Sequence, residues 1–150
     1  MIKRKAVLWT SFLAAIFLIL IFCLSFVTYR ATVTVGGRTF SVEVAETQYL
    51  LEKGLSGHAP LSDSEGMLFV FSQPDNYGFW MKDMLFPLDI IWIDQDFKVV
   101  HIEKALSPET YPKIFYPGAL SKYVLEINSG LSDKLDINIG DEVKFQKKWF

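Results

Sequence analysis

Hydrophobicity is distributed very unevenly along the chain. From Phe12 to Phe22 every residue is apolar, and no charge interrupts the 24 residues from Ala6 to Tyr29. Read as a helix at about 1.5 Å per residue, that run is about 36 Å long, enough to cross a hydrocarbon core of roughly 30 Å. Trp9 and Tyr29 stand where interfacial aromatic residues belong, and Lys3, Arg4 and Lys5 precede the run while only Arg30 follows closely. The positive-inside rule then keeps the N-terminus in the cytoplasm and sends the rest of the chain to the other side. Residues 1–30 are therefore expected to be a basic tail plus one transmembrane helix, spanning about 6–29, and residues 31–150 an extracytoplasmic domain. A cleaved signal peptide would need a shorter apolar stretch and a small-residue cleavage site, and Ser25-Phe26-Val27-Thr28 is a poor one.

Beyond Arg30 the pattern changes to alternation. Thr32 to Val35, the pair Gly36-Gly37, and Arg38 to Ala45 with Phe40, Val42 and Val44 alternating against polar neighbours predict a β-hairpin. Leu50, Leu51 and Leu55 recur at helical spacing in 46–55, with Thr47 as N-cap and Gly54 near the end. Short apolar runs at 66–71, 78–81, 88–93, 98–103, 122–127 and 143–145 predict further strands. Turns are expected at Gln95-Asp96, Asn128 to Gly130 and Gly140-Asp141. Pro108, Pro112 and Pro117 mark 105–118 as irregular, a surface meander or a lid-like loop. The expected fold class is α+β and mainly β: one small barrel-like or sandwich-like sheet of about seven short strands with one helix, preceded by one transmembrane helix.

Charge sharpens the division. All 17 acidic residues lie between Glu43 and Glu142, so residues 31–150 carry 11 basic against 17 acidic groups, a net −6, although the whole chain is only −2. An acidic body without a Lys/Arg stripe is unsuited to nucleic acid. The single cysteine, Cys23, falls in the apolar run, so the body can form neither disulfides nor thiolate metal sites, and it has no cysteine nucleophile.

The order of motifs is specific. Glu52-Lys53-Gly54-Leu55-Ser56-Gly57 is followed by Gly66 to Phe71, then by Gly78-Phe79-Trp80-Met81-Lys82. Next come Phe86-Pro87-Leu88-Asp89-Ile90-Ile91, Tyr123 to Ile127 with Gly130, and Ile139 to Val143. This series closely resembles the domain of unknown function 192 family over roughly residues 40 to 146. The resemblance implies a compact β-rich domain, often behind a signal or membrane anchor, with no settled activity. Two departures stand out. His58 occupies a segment where the family often has arginine, and Lys82-Asp83-Met84 stands where Lys-Asn-Thr is usual.

Candidate chemistry concentrates between Phe79 and Asp89. Trp80 offers a flat face for a sugar or aromatic ligand, and Lys82 and Asp89 could orient polar groups at its edge. Alternatively Phe79 and Trp80 simply pack, and Lys82 pairs with Asp83 or Asp89. An acid in the Asp89-Ile90-Ile91-Trp92 run needs a buried partner, either Lys82 or a backbone amide. Asp89 and Glu126 could together serve as the acid and base of a glycan hydrolase, if they meet. Met67, Met81, Met84, His58 and His101 are ligand types suited to copper, though methionines in an aromatic-rich body usually fill core. Neither a Gly-x-Ser-x-Gly elbow nor a phosphate-cradling loop is present. No metal or other cofactor is expected.

The leading expectation is thus a membrane-anchored binding or accessory module. It would take a small molecule, a glycan or an envelope protein through Trp80, Lys82, Asp89 and Glu126. The alternative is a hydrolase of envelope carbohydrate or peptide using Asp89 and Glu126.

Overall fold

The computed structural model describes residues 30–147. The transmembrane helix expected at 6–29 lies outside them. Among the described residues no helix is long and apolar enough to cross a membrane.

Strands β1 (Arg30–Val35) and β2 (Arg38–Ala45) form the expected hairpin, pairing Val33 with Phe40 and Val35 with Arg38. Its two-residue turn needs positive φ at both positions, which Gly36 (φ 57°) and Gly37 (φ 72°) supply without a side-chain clash. Helix α1 (Gln48–Lys53) is shorter than the expected 46–55. It starts where the Thr47 Oγ1 accepts from the Leu50 amide at 3.3 Å and stops at Gly54, whose N–H bonds back to the Leu50 carbonyl.

Strands β3 (Glu65–Asp75), β4 (Leu88–Ile93), β5 (Val99–Leu106), β6 (Ser121–Asn128) and β7 (Lys144–Lys147) complete one seven-stranded sheet in the order β5-β4-β6-β3-β2-β1-β7. Every pairing is antiparallel except β2 with β3, which run parallel because α1 and its following loop carry the chain back to the start of the sheet. The two ends of the sheet are tied together. Val99 N–H donates to the Asp141 carbonyl at 3.0 Å and Val143 N–H to the Phe97 carbonyl at 2.8 Å, joining the approach to β7 to the start of β5. The sheet thereby rolls toward a barrel, and its open edges are reduced.

Rolling the sheet creates two cores. The inner one gathers Ala31, Val33, Phe40, Val42, Leu68, Ile91, Ile93, Leu125 and Ile127 from facing strands. The outer one lies on the other surface of β3, β6 and β4, where Met67, Phe69, Val124, Leu88, Ile90 and Trp92 are covered by Leu55, Phe79, Met81, Met84, Phe86 and Phe115 from loops. Strand β4 is buried on both faces, which is why Leu88 to Ile93 shows no polar alternation beyond Asp89.

Three expectations are corrected. The stretch 78–81 is not a strand. It crosses the outer face of the sheet as a loop and makes one β-bridge, Phe79 to Phe115. Strand β5 continues past 103 to Leu106, with a register shift between its pairings to Leu88 and to Ile90. A second short helix, α2 (Leu131–Lys134), follows β6 directly after the Gly130 turn.

Candidate functional site

The covering loops decide what the outer face can do. Trp92 Nε1–H donates to the Tyr77 carbonyl at 2.8 Å, fixing the start of the 76–87 loop to β4. The Phe79 ring meets Phe69 and Trp92 edge-on at 4.9 and 5.7 Å between centroids, driving the middle of that loop into the outer core. The Ser56 hydroxyl donates to the Lys82 carbonyl at 2.9 Å, and the Gly57 amide to the Asp83 carbonyl at 2.9 Å. The turn after α1 and the 76–87 loop are therefore held side by side.

Between them remains a cavity of about 130 Å³, lined by Leu51 to Ser56, Phe69, Phe71, Tyr77 to Trp80, Lys82, Met84 and Glu126. Five aromatic residues, Phe69, Phe71, Tyr77, Phe79 and Trp80, contribute to its walls. Phe71 and Tyr77 stack at 3.5 Å between centroids, and the Tyr77 hydroxyl donates to the Gln73 carbonyl at 2.7 Å. Desolvation, with Asp75 nearby, pushes the Tyr77 phenol up. Trp80 is 45% exposed and touches Tyr111 edge-on at 5.8 Å, while Lys82 Nζ sits 5.7 Å from the Trp80 ring centroid.

Glu126 forms part of the buried lining. It is 5% exposed, placed on the outer face by strand alternation, opposite Met67 of β3 and Ile90 of β4. Neither neighbour offers a hydrogen bond, and Glu126 Oε2 has no partner among the described residues. Desolvation raises the carboxyl from its ordinary value of 4.5 to about 8, so at neutral pH it is mostly protonated.

Asp89 is elsewhere. It pairs with Ile127 rather than with Glu126, so its side chain points to the opposite face of the sheet. Its carboxylate is fully buried and satisfied: Oδ1 accepts from the Ala105 and Gly130 amides at 2.8 and 3.1 Å, Oδ2 from the Ser132 amide and hydroxyl at 2.9 and 2.5 Å. Backbone amides and the Ser132 hydroxyl, not Lys82, are its partners. Asp89 is therefore removed from the ligand-facing set, and the Asp89–Glu126 acid–base pair is not formed, because the two acids lie on opposite faces.

Trp80, Lys82 and Glu126 do line one cavity. Sequence reasoning missed Phe71, Tyr77 and the α1 end, Leu51 to Ser56; the only signal for the last was the Gly54-Leu55-Ser56-Gly57 turn. Met67, Met81 and Met84 are buried in the outer core, and His101 faces Glu103 at 3.2 Å and the Trp92 ring. Among the described residues no group of His, Cys, Asp or Glu could hold a metal ion.

The model of the domain of unknown function 192 family, DUF192, described as "Uncharacterized ACR", matches residues 31–145. The chain belongs to this family. Two solved structures are similar to it in both fold and sequence. A protein of unknown function from Novosphingobium aromaticivorans DSM 12444 is 37% identical, with a TM-score of 0.71 over 77% of this chain and 83% of that one. A protein from Sinorhizobium meliloti 1021, described as a proposed transcription regulator, is 30% identical, with a TM-score of 0.72 over 79% of this chain and 96% of that one. No curated protein matches. For this DUF192 chain, then, the family and fold are established.

Proposed function

We propose that this DUF192 domain is a small-molecule binding module whose ligand enters beside Trp80 and reaches Glu126. The observation that carries this reading is the Glu126 carboxyl, buried in an aromatic cavity with Oε2 unpaired among the described residues. An unmet buried acceptor costs a folded protein about 1–3 kcal/mol. A ligand that supplies the missing hydrogen bond recovers that cost at the site where it binds. The cavity also limits size. At about 130 Å³ it is close to a cavity of about 150 Å³ known to accommodate benzene, and well below the several hundred Å³ of drug-sized sites. A small molecule or a single sugar fits that space; a glycan chain or a protein does not.

The place of action follows from the sequence. The 24 uncharged residues before Arg30, with three cations ahead of them, support a single membrane span that holds the domain on the extracytoplasmic side. The first strand begins at Arg30, so the module would sit against the membrane surface.

A thermal-shift screen of the full-length chain in detergent tests the reading. A library of small polar molecules is expected to yield ligands that stabilise the parent but neither Trp80→Ala nor Lys82→Ala. Ligands that stabilise all of them equally, or a library without any ligand, would count against this cavity.

A further inference from the structure

The cavity lining carries a carboxyl oxygen without a hydrogen-bond partner and an ammonium without an ion-pair partner among the described residues. One is the buried Glu126 carboxyl. The other is the ammonium of Lys82, which makes no ion pair among the described residues and rests near the Trp80 ring, at 45% exposure the most open large apolar side chain of the lining. Lys53, from the end of α1, adds a second ammonium to the same lining, 5.9 Å from the Tyr49 ring centroid. The only other titratable groups there are Glu52, which accepts a hydrogen bond from Gln48 at 3.0 Å, and Tyr77. From the strands flanking Glu126, Met67 and Ile90 contribute no charge.

On the reading above, we propose that the ligand is a small zwitterion of the amino-carboxylate class, its amine on Glu126 and its carboxylate at Lys82. A simple organic cation would leave Lys82 unanswered and approach past two ammonium groups. A simple carboxylate would answer the lysines but brings no donor for the unpartnered Glu126 Oε2. A molecule carrying both groups satisfies each end, and an aliphatic amino acid suits a cavity of about 130 Å³. Aromatic walls favour the ammonium further, because a cation is attracted to ring quadrupoles. Seating that ammonium requires Glu126 to ionise. Burial without a cation holds the carboxyl protonated, so binding near pH 7 releases a proton from Glu126 to solvent while the ligand amine keeps its own.

Isothermal titration calorimetry of the full-length chain tests this with matched probes: L-alanine with its half-molecules ethylamine and propionate, and L-valine with isobutylamine and isovalerate. Titrations at pH 7 in two buffers of different ionisation enthalpy count the protons. The expected result is binding of at least one amino acid roughly tenfold tighter than either of its halves, with close to one proton released. Glu126→Gln, which keeps the side-chain shape, is expected to weaken binding roughly tenfold and abolish the proton release, and Lys82→Met to weaken the amino acid without weakening the amine. A half-molecule binding as tightly as the whole, unchanged affinity in Glu126→Gln, or no binding by any probe overturns the zwitterion assignment. The cavity reading stands or falls separately. It survives such a result if the broad screen finds another ligand lost in Trp80→Ala, and falls with the assignment if it finds none.

Discussion

Two buried acids in adjacent strands show how much of a residue's role depends on its surroundings. Asp89 and Glu126 both interrupt apolar strands, and the sequence alone marks each as needing a partner. Asp89 has four, all from the 105 and 130–132 segments, so it ties two connections to β4. Asp89→Asn replaces one accepting oxygen with a donor facing donors. It is expected to cost about 2–4 kcal/mol, read as a lowered denaturation midpoint with unchanged slope. Glu126 behaves in the opposite way. Its folded-state carboxyl, at about 8, holds a proton that the unfolded chain gives up above its ordinary value of 4.5. The folded state binds more protons in that window, so stability falls as pH rises through it and levels off above about 8. Thermal melts from pH 5 to 9 are expected to show this decline in the parent and to show less of it in Glu126→Gln, which should be the more stable protein at pH 9. A Glu126→Gln chain that declines as the parent does would place the titrating group elsewhere. The sequence revealed both acids but not their difference, because a one-residue change in strand parity decides which face, and which donors, an acid meets.

At the level of elements, the chain was most legible where a pattern has one physical solution. The Gly36-Gly37 hairpin, the Thr47 cap and the Leu88 to Ile93 strand each follow from local geometry or from continuous apolarity. The 78–81 stretch has strand-like composition, but Phe79 packs down onto a sheet rather than along one while Trp80 stays exposed. Only the long-range contacts of Phe79 with Phe69, Trp92 and Phe115 reveal that. Helix α2 was missed because four residues are too few to show a helical period. The pairing of β3 with β6 is what brings Glu126 beneath the aromatic cover, and it is close. A Cβ at Gly66 would lie 2.7 Å from the Glu126 carbonyl oxygen, a backbone atom that cannot swing aside. Gly66→Ala is therefore expected to spread these strands, destabilising the domain by about 1–3 kcal/mol and weakening any ligand of the cavity. Thr47→Ala serves as the contrast. Loss of the cap costs about 1 kcal/mol without moving β6.

Over the whole molecule, the uneven distribution of hydrophobicity divides a greasy, basic start from an acidic β-rich domain, and the domain divides again into two cores on either side of one sheet. The inner core fills the rolled sheet. The outer core is completed by loops, and it is there that a cavity survives. The proposed membrane span makes its own prediction: the full-length chain should stay with the membrane pellet after alkaline carbonate, and a tag at its C-terminus should be reached by protease from the extracytoplasmic side only. Release of the intact chain by carbonate would contradict it. The most direct test of the cavity itself is the NMR titration of the Glu126 side-chain carboxyl carbon in the full-length protein, identified by its loss in Glu126→Gln. A midpoint near 8 that moves down when an amino acid binds is the predicted result. A midpoint near the ordinary 4.5, or one that no ligand of the protein displaces, would contradict a buried carboxyl waiting at a binding site.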